Sequence, residues 1–345
     1  MYLGGARVAT DNREGNAKAL HVQMLKARNK QSWRSSPPGP NEIFETVEVL
    51  ASRLPNGGVP KKKGKNAKID SCLLIGFDTE YQSVGPLGRD DLKSEGAQNE
   101  ILSYQFSVKL VATDPSSSSS IAPTEGIILP DPGERMKMGD FVVGAIGTFL
   151  KANPEVPVPE TIYLVGHFTR SDLPAFSDFG SSAKAYFSNI RNTFVTGREI
   201  VKVQLDDEAG NPTGMLKFMI RDTMLLAPNG VKKLEDLGSI VGLEKLKLAG
   251  DGDTEAAVKR DMKALYQSNW PLFRSYAVRD AEICVRYSER VIRQYQAMFE
   301  LPILPVTMSK FLGRKKCSRC GRNKDAIRWR CWVVKISKQL NLSPH

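Results

Sequence analysis

No stretch of this sequence approaches the roughly 20 consecutive apolar residues that a membrane span needs, and its longest apolar runs are strand-length. The opening residues, MYLGGARVATDNREGN, lack the apolar core of a secretory signal. Both absences point to an intracellular, cytoplasmic protein with no membrane partner. Cysteine is scarce and odd in number: five residues, at 72, 284, 317, 320 and 331. Cys72 and Cys284 lie in apolar surroundings, so a disulfide framework is excluded. No internal repeat is visible.

What is there is ordinary in amount and uneven in placement. A chain of 345 residues, 41% hydrophobic and 25% charged, is globular and long enough for one large core or two smaller ones. The net charge is +11, but residues 1–68 hold 13 Lys and Arg against 5 Asp and Glu, and residues 310–345 hold 11 against 1. The flanks therefore carry +8 and +10, which leaves residues 69–309 at −7. An acidic body between basic arms fits a polyanion gripped at its flanks, or merely solvated tails. Charge alone leaves both readings open.

The pattern divides the chain in the same places. Residues 1–40 are polar and end in SSPPGP, a flexible or loosely helical arm, and NEIFETVEVLASRL reads as a helix. PNGGVPKKKGKNAK, 55–68, reads as a basic loop. Strands are expected at 71–79, 101–111, 126–130 and 161–167, and a helix at 141–152. FVTGREIVKVQL and TGMLKFMIRDT flank DDEAGNP, a hairpin signal, and helices follow at 231–242, 254–266 and 270–298. The order argues an α/β domain with a mixed sheet over 69–309, carrying a β-hairpin insertion and basic terminal extensions.

The strand LLIGFDTEYQ ends on two carboxylates, Asp78 and Glu80. Alternation along a strand puts both on one face, where they repel unless a cation lies between them. A solvated strand end and a divalent-metal site are the two readings, and the second requires further acids. Asp172, in FTRSDLPAF, follows the strand TIYLVGH and sits in the first turn of an expected helix, with Ser171 as its cap. There it either faces the crevice of Asp78 and Glu80 or complements the helix dipole. In SYAVRDAEICVRY, Tyr276 and Asp280 are four apart on one helix face, with Ala277, Ile283, Cys284 and Tyr287 on the buried side. Asp280 is either a surface residue or a core-ward acid that a metal would compensate.

FDTE, HFTRSDL and YAVRD together resemble, in order and spacing, the three motifs of the DEDD exonuclease superfamily in its Tyr-containing branch. The resemblance extends over roughly 70–312, through NEILSYQFSV, IRDTMLLAPNGVKKLEDLGSIVGL and LPILPVT, to the exonuclease domain of protein-primed phage and linear-plasmid family B DNA polymerases. It implies a ribonuclease H-like fold and 3′→5′ hydrolysis of DNA by two metal ions, Mg²⁺ or Mn²⁺, releasing 5′-nucleotides. Asp78, Glu80, Asp172 and Asp280 then hold the ions, and Tyr276 orients the attacking water. Ser275 stands where the histidine branch has its catalytic residue, which supports the tyrosine assignment. Thr79, Tyr81, His167 and Phe168 are the substrate-contact candidates, Phe106 either stacks a terminal base or, as its place on a strand favours, packs in the core, and Asp222 is structural or supports the ligands without being one. The second motif often carries Asn where this chain has His167.

No D-x-x-S-L-Y-P or Y-x-D-T-D stretch of a polymerase palm follows, and GDGDT at 250–254 lies in a polar loop. The implied alternatives are a free-standing exonuclease, a proofreading fragment of a split or truncated polymerase, an RNA-directed exonuclease, and a nucleic-acid-binding module without activity. The implied partners are a DNA 3′ end and a polymerase or replication protein, with a place beside the nucleoid. In the tail, Cys317, Cys320 and Cys331 form a candidate zinc set one ligand short of four, with His345 the sole later candidate. A basic unstructured tail is the alternative.

Overall fold

The computed structural model describes residues 7–8, 19–20, 71–83, 99–114, 121, 123–197, 199–206, 211–248, 252–299 and 303–308. The helix expected at 41–54, the basic loop at 55–68 and the cysteine tail at 310–345 lie outside the described residues. No helix among those described is long and apolar enough to cross a membrane.

The chain builds a mixed α/β fold around one twisted sheet. Its strands are β1 (Arg7–Val8), β2 (Ala19–Leu20), β3 (Ser71–Ser83), β4 (Asn99–Ala112), β5 (Thr124–Ile128), β6 (Ile162–Gly166), β9 (Val201–Asp206) and β10 (Pro212–Asp222). A separate hairpin pairs β7 (Phe187–Ile190) with β8 (Thr193–Thr196). The helices are α1 (Met138–Ala152), α2 (Phe179–Tyr186), α3 (Thr223–Leu226), α4 (Leu234–Ile240), α5 (Gly252–Arg260), α6 (Met262–Ser268) and α7 (Trp270–Phe299). The six long strands run in the order β9-β10-β6-β3-β4-β5, with β3, β6 and β10 parallel to their neighbours in that group and the rest antiparallel. This is a ribonuclease H-like mixed sheet flanked by helices. The two-residue strands β1 and β2 pair with β9, so the N-terminal arm contributes to the sheet edge rather than being a free or helical arm throughout.

Alternation along β3 sets up the site. Leu73, Ile75 and Phe77 face one layer, where the Phe77 and Phe106 rings each lie 6.2 Å from Phe141 of α1. Cys72 and Leu74 face the other layer with Ile283, Cys284 and Tyr287 of α7. Gly76 shares that second face, and the carbonyl of Ala281 lies 2.2 Å from where a Cβ would stand. Only glycine lets strand and helix approach so closely. The same face next presents Asp78 and Glu80.

Several boundaries differ from expectation. β3 continues to Ser83, so Glu80 and Tyr81 lie inside the strand and pair with β4, with an irregularity between them. The helix expected at 254–266 is broken at Asp261, whose side chain accepts from the Ala264 amide at 3.0 Å and starts α6. The last three residues of GDGDT begin α5 rather than lying in a loop.

Candidate active site

The parallel strands β6 and β10 end together at Gly166 and Asp222, at the edge where open α/β sheets place their ligands, and β3 runs on past them through Asp78 and Glu80. Asp78 and Glu80 are half-buried there, while Asp172 and Asp280 are only 3% and 6% exposed. Three separate elements thus bring the four expected acids together: β3, the loop after β6, and α7.

Each acid is held differently. Asp78 accepts a hydrogen bond at 3.2 Å from Gln105, its partner across the sheet, and Ser103 donates to Gln105 at 3.2 Å. Asp172 accepts from the hydroxyls of Thr79 at 2.8 Å and Ser171 at 2.7 Å. Ser171 therefore serves the carboxylate and caps no helix; Asp172 itself precedes a three-residue 3₁₀ turn, Leu173–Ala175, which Pro174 shapes. Asp280 is ion-paired through Oδ2 with Lys245, and its Oδ1 is buried without a hydrogen-bond partner among the described residues.

Burial is the first cause that raises the proton affinity of all four, and repulsion from the other acids adds to it at Asp78 and Glu80. Glu80 is pushed up to about 8 by burial and by Asp280. Asp172 rises to about 6 through burial, against the hydrogen bonds from Ser171 and Thr79. Asp78 rises well above the carboxylate range through burial, Asp172, Asp280 and Glu80. Burial also raises Asp280, although Lys245 and His167 oppose it. Burial would lower Lys245, but its acidic neighbours, Asp280 foremost, raise it on balance.

All four donors are carboxylates, the hard oxygen ligands that Mg²⁺ and Mn²⁺ take. The unpartnered Asp280 Oδ1 and the mutual repulsion are what a divalent cation would relieve. Among the described residues, however, no three acidic, histidine or cysteine side chains converge tightly enough to enclose an ion as they stand. The ammonium of Lys245 lies among the acids. The donor chemistry fits a divalent ion, with side-chain rearrangement needed to close its shell.

The remaining expected residues divide. Tyr276 is buried beside the acids, its phenol raised by burial and by Glu80, Asp280 and Asp78. Tyr81 and Phe168 are each 39% exposed, unusual for such large apolar side chains. Thr79 is buried, its hydroxyl directed at Asp172. His167 is tied by Nδ1 to the Thr223 hydroxyl at 2.8 Å, and burial lowers its basicity. Phe106 is fully buried, as expected. Asp222 accepts from the amides of Phe168, Thr169 and Met224 at 3.1, 2.7 and 2.8 Å. It thereby holds Phe168 at φ 56°, a left-handed backbone that bulky residues rarely adopt. Cys317, Cys320 and Cys331 lie outside the described residues. Lys245 and Gln105 are not among the expected residues: neither sits in the three acidic motifs, although Gln105 lies in the stretch NEILSYQFSV.

A cavity of about 500 Å³, lined by residues including Tyr186, Phe187, Glu199 and Val306, includes none of the four acids.

The fold and the site place this chain in the class of ribonuclease H-like domains with an acidic cluster at the carboxyl ends of the parallel strands. Among curated proteins it is similar to the primer-independent DNA polymerase PolB of Escherichia coli, 29% identical over 246 residues. The match covers 67% of this chain and 26% of the relative, so the chain spans about a quarter of that polymerase's length. No family model matches. The similarity supports a polymerase-related domain.

Proposed function

We propose that the chain is a metal-dependent 3′→5′ exonuclease of the Tyr-containing DEDD type that hydrolyses DNA and releases 5′-nucleotides. The observation that carries this reading is the gathering of Asp78, Glu80, Asp172 and Asp280 from three elements into one crevice, where Asp172 and Asp280 raise the proton affinity of both Asp78 and Glu80. These four would hold Mg²⁺ or Mn²⁺. Bound ions would activate water and stabilise the leaving 3′-oxygen. The protein's own groups do the positioning. Thr79 and Ser171 fix both oxygens of Asp172, and Gln105 fixes Asp78. Tyr276, whose phenol is raised above its ordinary value, keeps its proton and orients the attacking water rather than deprotonating it. Lys245 offsets the acids' charge as a phosphate approaches. Tyr81 and Phe168 offer exposed faces on which bases can stack.

DNA as the substrate, and a proofreading role beside a polymerase or another replication protein, rest on the similarity to PolB and on the family resemblance. The test is a time course on 5′-labelled single- and double-stranded DNA and RNA with Mg²⁺, Mn²⁺ or EDTA. The expected result is shortening of DNA from its 3′ end with either metal and none with EDTA. Intact substrate under every condition overturns the reading, and faster shortening of RNA reassigns the substrate.

A further inference from the structure

Lys259 stands at the rim of the crevice, and the acids' own strand fixes it there. The last turn of α5 is clamped by Gln82, two residues past Glu80 on β3. Gln82 Nε2 donates to the Arg260 carbonyl at 3.0 Å, and its Oε1 accepts from the Lys263 amide at 3.1 Å. Lys263 Nζ also donates to Glu100 of β4 at 2.7 Å. So anchored, α5 carries Lys259 Nζ to 5.9 Å from the centre of the Tyr276 ring. Its ammonium lowers the proton affinity of both Glu80 and Asp280.

The two lysines beside Tyr276 are engaged differently. Lys245 is largely buried and paired with Asp280. Lys259 is exposed and paired with Glu255, one helical turn back, at 2.7 Å. The Lys259 side chain is 43% exposed and that of Glu255 20%, so the (i, i+4) pair is partly screened by water and its lysine can exchange Glu255 for another partner. A crevice of four acids repels a polyanion, and a cation on its rim offsets that repulsion. We infer that Lys259 is a ligand for a backbone phosphate of the single strand entering the crevice, and that Glu255 competes with that phosphate for its ammonium. This rests on the exonuclease reading for its substrate class. The competition gives the pair a property that a merely structural ion pair lacks: its two members act on binding with opposite sign.

The test measures binding of a fluorescein-labelled oligothymidylate by anisotropy in EDTA over a salt series, and hydrolysis of the same strand in Mg²⁺. Lys259→Gln should weaken binding about tenfold and reduce the salt slope by about 0.7, the loss of one phosphate contact on a single strand. Lys259→Arg should restore most of the affinity, Glu255→Gln should tighten binding severalfold, and turnover at saturating strand should hardly move. Weakening by both Lys259→Gln and Glu255→Gln, or no change with Lys259→Gln, overturns the proposal. Binding with the expected pattern but no hydrolysis by the wild-type chain overturns the exonuclease reading and leaves the phosphate site standing. Hydrolysis at subsaturating strand that is indifferent to Lys259→Gln overturns the phosphate site alone, and no binding by the wild-type chain overturns both.

Discussion

The hydroxyl of Thr79 donates to Oδ1 of Asp172 at 2.8 Å, joining the central strand to the loop after β6 across 93 residues of sequence. This bond lowers the proton affinity of an acid that burial raises to about 6. Thr79→Val keeps the shape and removes the donor. The Asp172 proton affinity should then rise, so the acid limb of the pH–rate profile should move to higher pH. Activity near neutral pH should fall about tenfold. Thr79→Ser should stay close to wild type, and an unmoved acid limb in Thr79→Val would show that the bond does not tune the site.

Asp78→Ala and Glu80→Ala should each abolish hydrolysis while the fold stays intact, because the acids repel one another without a cation. Residual rates above a few per cent of wild type would sink their assignment. Tyr276→Phe removes only the hydrogen bond to water, so its rate should fall about tenfold to a thousandfold. The Mg²⁺ dependence of that variant should match wild type, read from hydrolysis rates over a metal titration.

Without divalent ions, stability should fall as pH rises. Glu80 binds its proton more tightly folded than unfolded, at about 8 against an ordinary 4.5. A group raised in this sense contributes its full stabilisation below about pH 4.5 and loses it as pH climbs through about 8. The loss from Glu80 should be about 1–3 kcal/mol once screening in the open crevice is allowed for. Thermal melts in EDTA should show the decline, Glu80→Gln should flatten it, and Mg²⁺ should reverse it at the alkaline end. A Tm that holds or rises over this window would contradict the sign.

The sequence carried the central strand, the hairpin β9–β10 and the helix of Tyr276 and Asp280 in local patterns that burial enforces. Phe77 and Cys72 alternate because two layers sandwich β3, and that alternation placed Asp78 and Glu80 on one face. Other features had no local signal. The β7–β8 turn runs through Arg191 and Asn192 at φ 49° and 63°; asparagine is usual there and arginine is not. Asp172 looks like a helix-start residue in sequence, yet Pro174 and the bonds from Thr79 and Ser171 make it a buried acid on a 3₁₀ turn. Lys245 and Lys259 sit in segments that read as polar surface, and only long-range packing brings them to Tyr276. Gln105 looks like an outward residue of an alternating strand, but its neighbour across the sheet is Asp78.

The glycine two residues before Asp78 offers the sharpest link between packing and chemistry. A Cβ on Gly76 would meet the Ala281 carbonyl oxygen at 2.2 Å and the Val285 side chain at 2.7 Å. Val285 can yield by rotating, but the carbonyl belongs to the α7 backbone and yields only if the helix moves. Ala281 follows Asp280, and Tyr276 lies little more than one turn earlier, so any retreat of α7 draws both away from Asp78 and Glu80. Gly76→Ala should cost about 1–3 kcal/mol of stability through overpacking. It should cost far more in rate, because a misplacement of about 1 Å at a catalytic constellation lowers turnover about a hundredfold. The separation is measurable: Tm and circular dichroism should report a folded, modestly destabilised protein, while hydrolysis falls by two orders of magnitude or more. Cys72→Ala on the same face of the strand, further from the acids, is the control, since it destabilises without displacing the helix. Equal activity in the two variants would show that the approach of β3 to α7 serves stability alone.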